Sequence, residues 1–137
     1  MIQGTDLLYF ETHGDDRGSL IAIENNKNID FKIERVYYIY DTINGVVRGK
    51  HAHVDLRQVL ICVNGSCDIL LDNGKERDVI HLDSPNKGVY IKSLVWREMM
   101  NFSDDCVLLV LVNSKHNVND YIYDYPLFLS LVDDNNV

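Results

Sequence analysis

Between residues 20 and 113 the chain is a succession of short apolar or alternating runs, each broken by Asn, Asp or Gly. Runs of this kind suit strands that bury one face or both. The pattern predicts strands over 20–24, 35–41, 46–53, 58–64, 67–72, 77–82, 88–91, 96–102 and 107–113. Asp72-Asn73-Gly74-Lys75 is a strong hairpin signal, because Asn-Gly tolerates the positive backbone angles of a type I′ turn, and Asn64-Gly65 marks a second tight connection. Many short strands at this spacing indicate an all-β sandwich or barrel. Only residues 118–132 read otherwise, as a short helical or irregular segment packed outside the barrel. Their aromatics, Tyr121, Tyr123, Tyr125 and Phe128, are expected to be packing groups and not a ligand cage.

A chain of 137 residues, 46% of them apolar, forms one domain over 1–137 with a single core. No apolar run is long enough to span a membrane, and the start is polar and acidic where a signal peptide would be basic and apolar. Cys62, Cys67 and Cys106 lie in strand-like apolar segments without Cys-x-x-Cys spacing, so they are expected to be core thiols in a reducing cytoplasm. The net charge of -8 argues against nucleic acid as a partner, since binding it requires a broad basic surface. A small anion held by a few arginines is still compatible with that charge. The acidic stretch 133–136 is expected to be a solvated end.

The run Arg48-Gly49-Lys50-His51-Ala52-His53 concentrates the chemistry. Histidines at i and i+2 on a strand face the same side, where they can hold a metal or move protons near neutral pH. Gly45, His51, His53 and Gly65 resemble the first signature of the cupin superfamily, whose fold is a jelly-roll barrel. The signature's acid is replaced by Gln58, and the region 85–91, where the second signature would bring a further histidine, contains none. Two surviving ligands are too few for an ordinary zinc, iron or manganese site. The pair is therefore read as acid/base equipment, with no metal. In the strand at 35–41, alternation places Arg35, Tyr37 and Ile39 on one face and Val36, Tyr38 and Tyr40 on the other. Periodicity leaves open which face supplies a phenol to the site. Arg48 reaches the rim if the strand bulges at Gly49, and Arg17 and Arg97 are weaker candidates for an anion contact. His13, His81 and His116 sit in contexts that favour structural or solvated roles.

Over nearly its whole length the chain resembles one cupin family, the nucleotide-sugar 3,4-ketoisomerases acting on dTDP-4-keto-6-deoxyglucose. The likeness is carried by Asp15 to Gly18, Arg35-Val36-Tyr37-Tyr38, the Arg48 to His53 run, Gly88-Val89-Tyr90 with Trp96, Ser103 to Leu108 and Asp120 to Tyr125. The resemblance implies a cupin jelly roll, a homodimer, a dTDP-sugar substrate, no cofactor, and a place in deoxyamino-sugar synthesis for bacterial surface glycans. It assigns His51 as the base at C3, Tyr37 as the acid and His53 as the shuttle between the C3 hydroxyl and the C4 oxygen. Arg48, with Arg17 and Arg97, would hold the diphosphate or border the sugar. The alternatives are a deoxysugar epimerase, a metal-dependent cupin and a ligand-binding cupin without catalysis.

Overall fold

The computed structural model describes residues 1–135. Its architecture follows from which strands must be covered on two sides. Strand β6 (Gln58–Asn64) is buried from Gln58 to Cys62 without alternation. Leu60 and Cys62 join the main core, while Val59 and Ile61 join a second cluster on the opposite face. A central strand of this kind needs neighbours beside it and layers above and below.

Strands β1 (Thr5–Tyr9), β9 (Lys87–Ile91), β6, β11 (Val107–Val112) and β4 (Arg35–Ile39) form one five-stranded antiparallel sheet in that order. A second five-stranded sheet runs β12 (Tyr121–Ile122), β5 (Arg48–His53), β10 (Trp96–Met100), β7 (Cys67–Asp72) and β8 (Arg77–Leu82). The two sheets close on a core that includes Leu60, Ile69, Leu71, Val89, Leu108 and Val110. This is the predicted all-β jelly roll. Phe10, Ile29 and Phe31, with Ile21, Ile23 and Ile33 partly buried, cover the outer face of the first sheet. Helix α1 (Tyr125–Asn135) covers the second, burying Phe128 and Val132 against Ala52, Trp96 and Ile122.

The helix starts where its sequence allows. Asp124 accepts the Leu127 backbone N–H at 3.2 Å, and Pro126 stands in the first turn, where its missing donor costs nothing. Asp133 and Asp134 are exposed on the last turns of this helix; residue 136 of the acidic stretch lies outside the described residues.

Some expectations change. The segment predicted as a strand over 20–24 is a strand only at its start, in β3 (Gly18–Leu20), which pairs with β2 (His13–Asp15) in a separate hairpin. Strand β1 escapes a reading of apolar runs because its register with β9 comes from backbone pairing, not from its few leucines. The Asn73-Gly74 hairpin exists, but its connection spans 73–76 and is not a two-residue loop. The Asn73 carboxamide accepts from the Lys75 and Glu76 N–H groups at 2.9 and 2.8 Å, which widens the turn. Phe128 has no exposed surface. Phe128→Ala should therefore destabilise the fold by about 3–5 kcal/mol, checked by urea denaturation.

Candidate active site

A bulge in β5 sets the site's geometry. Arg97 pairs with His51 and Glu98 with Gly49, which leaves Lys50 as the extra residue. Gly49 and Lys50 have φ of 84° and 53°, the left-handed values that let the strand turn there. A Cβ at Gly49 would lie 3.0 Å from both the Arg97 carbonyl oxygen and the Met99 methyl, so the position has no room for one. Past the bulge, His51 and His53 face into the barrel, and Ala52 lies under helix α1. Arg48 stays exposed before the bulge and lines a cleft of about 400 Å³ together with Arg35, Tyr37 and His51.

The two imidazoles are in contact. Their Nε2 atoms are 3.1 Å apart with the ring planes at 90°. His53 Nδ1 lies 2.9 Å from Asp120 Oδ2, while Asp120 Oδ1 accepts the Asp55 backbone N–H at 2.8 Å. A carboxylate at Nδ1 fixes the tautomer, so His53 donates from Nδ1 and turns its Nε2 lone pair toward His51. The two Nε2 atoms are thus close enough to share a hydrogen bond, in which His53 offers the lone pair. The Tyr121 ring packs 5.0 Å from His51 and 4.5 Å from His53, and Tyr123 stacks on Tyr121. Tyr121 comes in on β12, paired with His53 in register, and Tyr123 follows the end of that strand.

Burial and one cation set the protonation states. Burial and the nearby Arg97 guanidinium push His51 down to about 4, and the same causes push His53 lower still. Both rings are therefore neutral at pH 7 and able to accept protons. Burial raises the Tyr37 phenol, with Arg97, Arg35 and Arg48 partly offsetting it, so Tyr37 remains protonated. Arg97 itself is 0% exposed and lowered to about 10 by burial. Its Nε and Nη2 donate to the Val95 carbonyl at 3.3 and 3.0 Å, and Nη1 has no partner.

The structure brings together Tyr37, Arg48 and His51 on the wall of the one cleft, with His53 buried behind His51 and in contact with it. The inward tyrosine is Tyr37, since Val36 and Tyr38 point out with more than half their surface exposed. Arg97 enters from beneath as a fully buried group, not as a rim arginine. Arg17 stands apart on the exposed hairpin, where its Nε donates to Asp15 at 3.0 Å. Tyr121 and Tyr123 overturn the expectation of pure packing, because both line the cleft; Tyr125 and Phe128 do pack, around Trp96. His116 also belongs here, 3.0 Å from Arg35 Nη1 and near the Tyr121 hydroxyl. The alternation Tyr121, Ile122, Tyr123 carried the missed signal: aromatics at i and i+2 on one side of an extended segment, with a buried apolar residue between them.

The donor set does not suit a metal. Among the described residues the cluster of three or more potential ligands is formed by cysteines elsewhere, and no third such side chain converges with the two histidines. The Nε2 atoms point at each other, and a buried guanidinium behind them opposes a second cation.

Fold and site together define a class: a jelly-roll barrel whose cleft holds neutral histidines and a protonated phenol for moving protons. Comparison with known proteins narrows this. Residues 3–133 match the family model described as FdtA, WxcM-like, C-terminal, and the chain belongs to that family. It is 54% identical over 114 residues to the TDP-4-oxo-6-deoxy-alpha-D-glucose-3,4-oxoisomerase of Aneurinibacillus thermoaerophilus, covering 83% of this chain and 82% of that protein. A crystal structure of a 3,4-ketoisomerase from Helicobacter canadensis superposes with a TM-score of 0.92 at 50% identity, covering 95% of this chain and 98% of the other. A histidine-to-asparagine mutant of the 3,4-ketoisomerase QdtA from Thermoanaerobacterium thermosaccharolyticum, in complex with TDP-4-keto-6-deoxyglucose, superposes with a TM-score of 0.95. Its identity is 40%, over 98% of this chain and 97% of that one.

The depressed His51 value has a measurable sign. A free histidine titrates near 6.5, so between about pH 6.5 and pH 4 the unfolded chain binds a proton that the folded chain refuses. Stability is fully present above that range and falls as the pH drops through it. Urea midpoints taken from pH 7 to pH 4 should decline, and His51→Asn should flatten that decline.

Proposed function

We propose that residues 1–137 act as one nucleotide-sugar 3,4-ketoisomerase domain, converting dTDP-4-keto-6-deoxy-D-glucose into a dTDP-3-keto-6-deoxyhexose. The observation that carries this reading is the His51–His53 Nε2 contact of 3.1 Å, set in the same cleft as Tyr37. The named activity of the 54% identical relative supports it.

The reaction moves one hydrogen from C3 to C4 and another from O3 to O4. His51, neutral and buried, takes the C3 proton that the adjacent carbonyl acidifies, giving an enediolate. His53 accepts the O3 proton and returns it to O4, while Asp120 holds its ring in the accepting orientation. Tyr37 delivers the proton to C4. The phenolate so formed is stabilised by Arg97 and Arg35 and is reprotonated from the His51 imidazolium, which restores the starting state. The buried positive charge also favours the anionic intermediate over the neutral ground state, which is where electrostatic catalysis acts. No redox step is involved.

Arg48, on the cleft rim, holds the diphosphate through paired donors, and this remote binding orients the hexose. Arg97 acts from below on the sugar end. Arg17 lies off its own cleft, so its role is in a homodimer, at the partner's site. The hairpin that carries it is exposed at every residue, and Val36 and Tyr38 on edge strand β4, with Tyr40 just past its end, expose an apolar outer face. The product would feed amino-sugar formation for a surface glycan, in the cytoplasm.

Incubation with dTDP-4-keto-6-deoxyglucose in deuterated water, followed by NMR, tests the whole reading. A 3-keto product with deuterium at C4 is expected; a C3 or C5 epimer still carrying the 4-ketone would make the protein an epimerase. His51→Asn should abolish exchange at C3 with dTDP affinity nearly unchanged, and retained turnover would remove His51 as the base. Arg48→Ala should leave the chemistry intact but weaken dTDP binding by about 1.5–3 kcal/mol, read by calorimetry.

A further inference from the structure

The chain has three cysteines, and all three converge at one place away from the histidine cleft. Cys62 points into the core from β6, Cys67 opens β7, and Cys106 directly precedes β11. Their sulfur atoms all lie within 4.8 Å of one another, and the Cys62 and Cys106 sulfurs are 3.5 Å apart. We propose that Cys62, Cys67 and Cys106 form a three-thiolate site for a soft, thiophilic d¹⁰ cation of the Cu(I) or Cd(II) type.

The geometry fits such an ion closely. A planar three-sulfur site with metal–sulfur bonds of about 2.3 Å has sulfurs about 4 Å apart, so the trio needs only small side-chain adjustments. Sulfur donors select soft ions over magnesium, calcium or manganese. The two loops that carry the ligands are tied to each other independently of any ion. The Ser66 N–H donates to the Ser103 hydroxyl at 2.8 Å, the Ser103 N–H to the Ser66 carbonyl at 2.9 Å, and the Asn64 carboxamide to the Asp105 carbonyl at 2.8 Å. Gly65, with φ of 72°, makes the turn between Cys62 and Cys67 where a side chain would collide with Ser103 and Asp105. The sulfurs are thus held near one another before a cation arrives.

Proton balance and access are compatible with such an ion. Each sulfur that coordinates as thiolate releases its proton to solvent, and no atom is oxidised or reduced. Cys106 also borders an open cleft of about 430 Å³ that is lined by Asp41, Asp104 and Asp105. Three carboxylates at the mouth concentrate cations beside Cys106, the thiol of the trio that borders the cleft.

The test uses the reduced, full-length protein and Cd(II) alone as the probe. Titration should give an ultraviolet thiolate-to-metal absorption that saturates at one ion per chain, and X-ray absorption should count three sulfur neighbours. The His51→Asn/His53→Asn double variant should keep the band at full strength. Cys67→Ala should weaken binding by more than ~100-fold, beyond what losing an outer-sphere partner costs. Cu(I) presented in a competing chelator should displace Cd(II), read as one equivalent of Cd(II) released to solution; retention of Cd(II) would count against a preference for Cu(I). Absence of the band in wild type, fewer than three sulfurs in the coordination shell, or loss of the band in the histidine variant would overturn the site. The sulfur count needs no cysteine variant, so a poorly folding Cys67→Ala leaves the proposal open to refutation.

Discussion

The hydrogen-bonded line Asp120–His53–His51 is the constraint on which the site depends. It joins a carboxylate and an imidazole 67 positions apart in sequence, across a buried contact of 2.9 Å. Without Asp120, the His53 ring could flip or turn its N–H toward His51, and the pair would offer two donors or two lone pairs to each other. With it, His53 keeps its N–H on the Asp120 side and presents its Nε2 lone pair toward His51. The short strand β12 exists to place this residue: it pairs with β5 so that Tyr121 lies against His53, and Asp120 follows from that register.

The second constraint is charge. A fully buried guanidinium with one unpartnered nitrogen is costly, and a chain selected for stability alone would replace it with an apolar residue. Arg97 lies below both imidazoles and the phenol, depressing the bases and partly offsetting the burial of the acid. Burial first, and this cation with it, keep the histidines neutral and able to accept protons; the cation also makes a metal unwelcome and prepares the cleft for an anionic intermediate. The bulge at Gly49 and Lys50 performs the geometric counterpart, separating exposed Arg48 from inward His51 by a local twist.

The thiol trio lies apart from this machinery, in the core beside the β6–β7 connection. The histidine site and the cysteine site show the same principle with different donors. Segments from both sheets deliver side chains to a common interior point, β5 and β4 in one site and β6, β7 and the residue before β11 in the other, and a glycine at a positive φ shapes the backbone beside each. The acidic surface, at a net charge of -8, leaves anion binding to the few arginines of the cleft and favours cations elsewhere.

The sequence by itself determined the all-β class, most of the strands, the inward histidine pair and the weakness of its metal signature, because period-two patterning and short turns are local properties. It also carried the bulge, through Gly49. Tertiary structure alone decided which tyrosine faces the cleft, since alternation defines two faces without saying which is inside. It likewise decided that Arg97 is buried, that Arg17 stands away, and that Tyr121, Tyr123, His116 and Asp120 belong to the site. Those residues reach the histidines through the pairing of β12 with β5, a contact between distant segments for which adjacent residues leave no periodic trace.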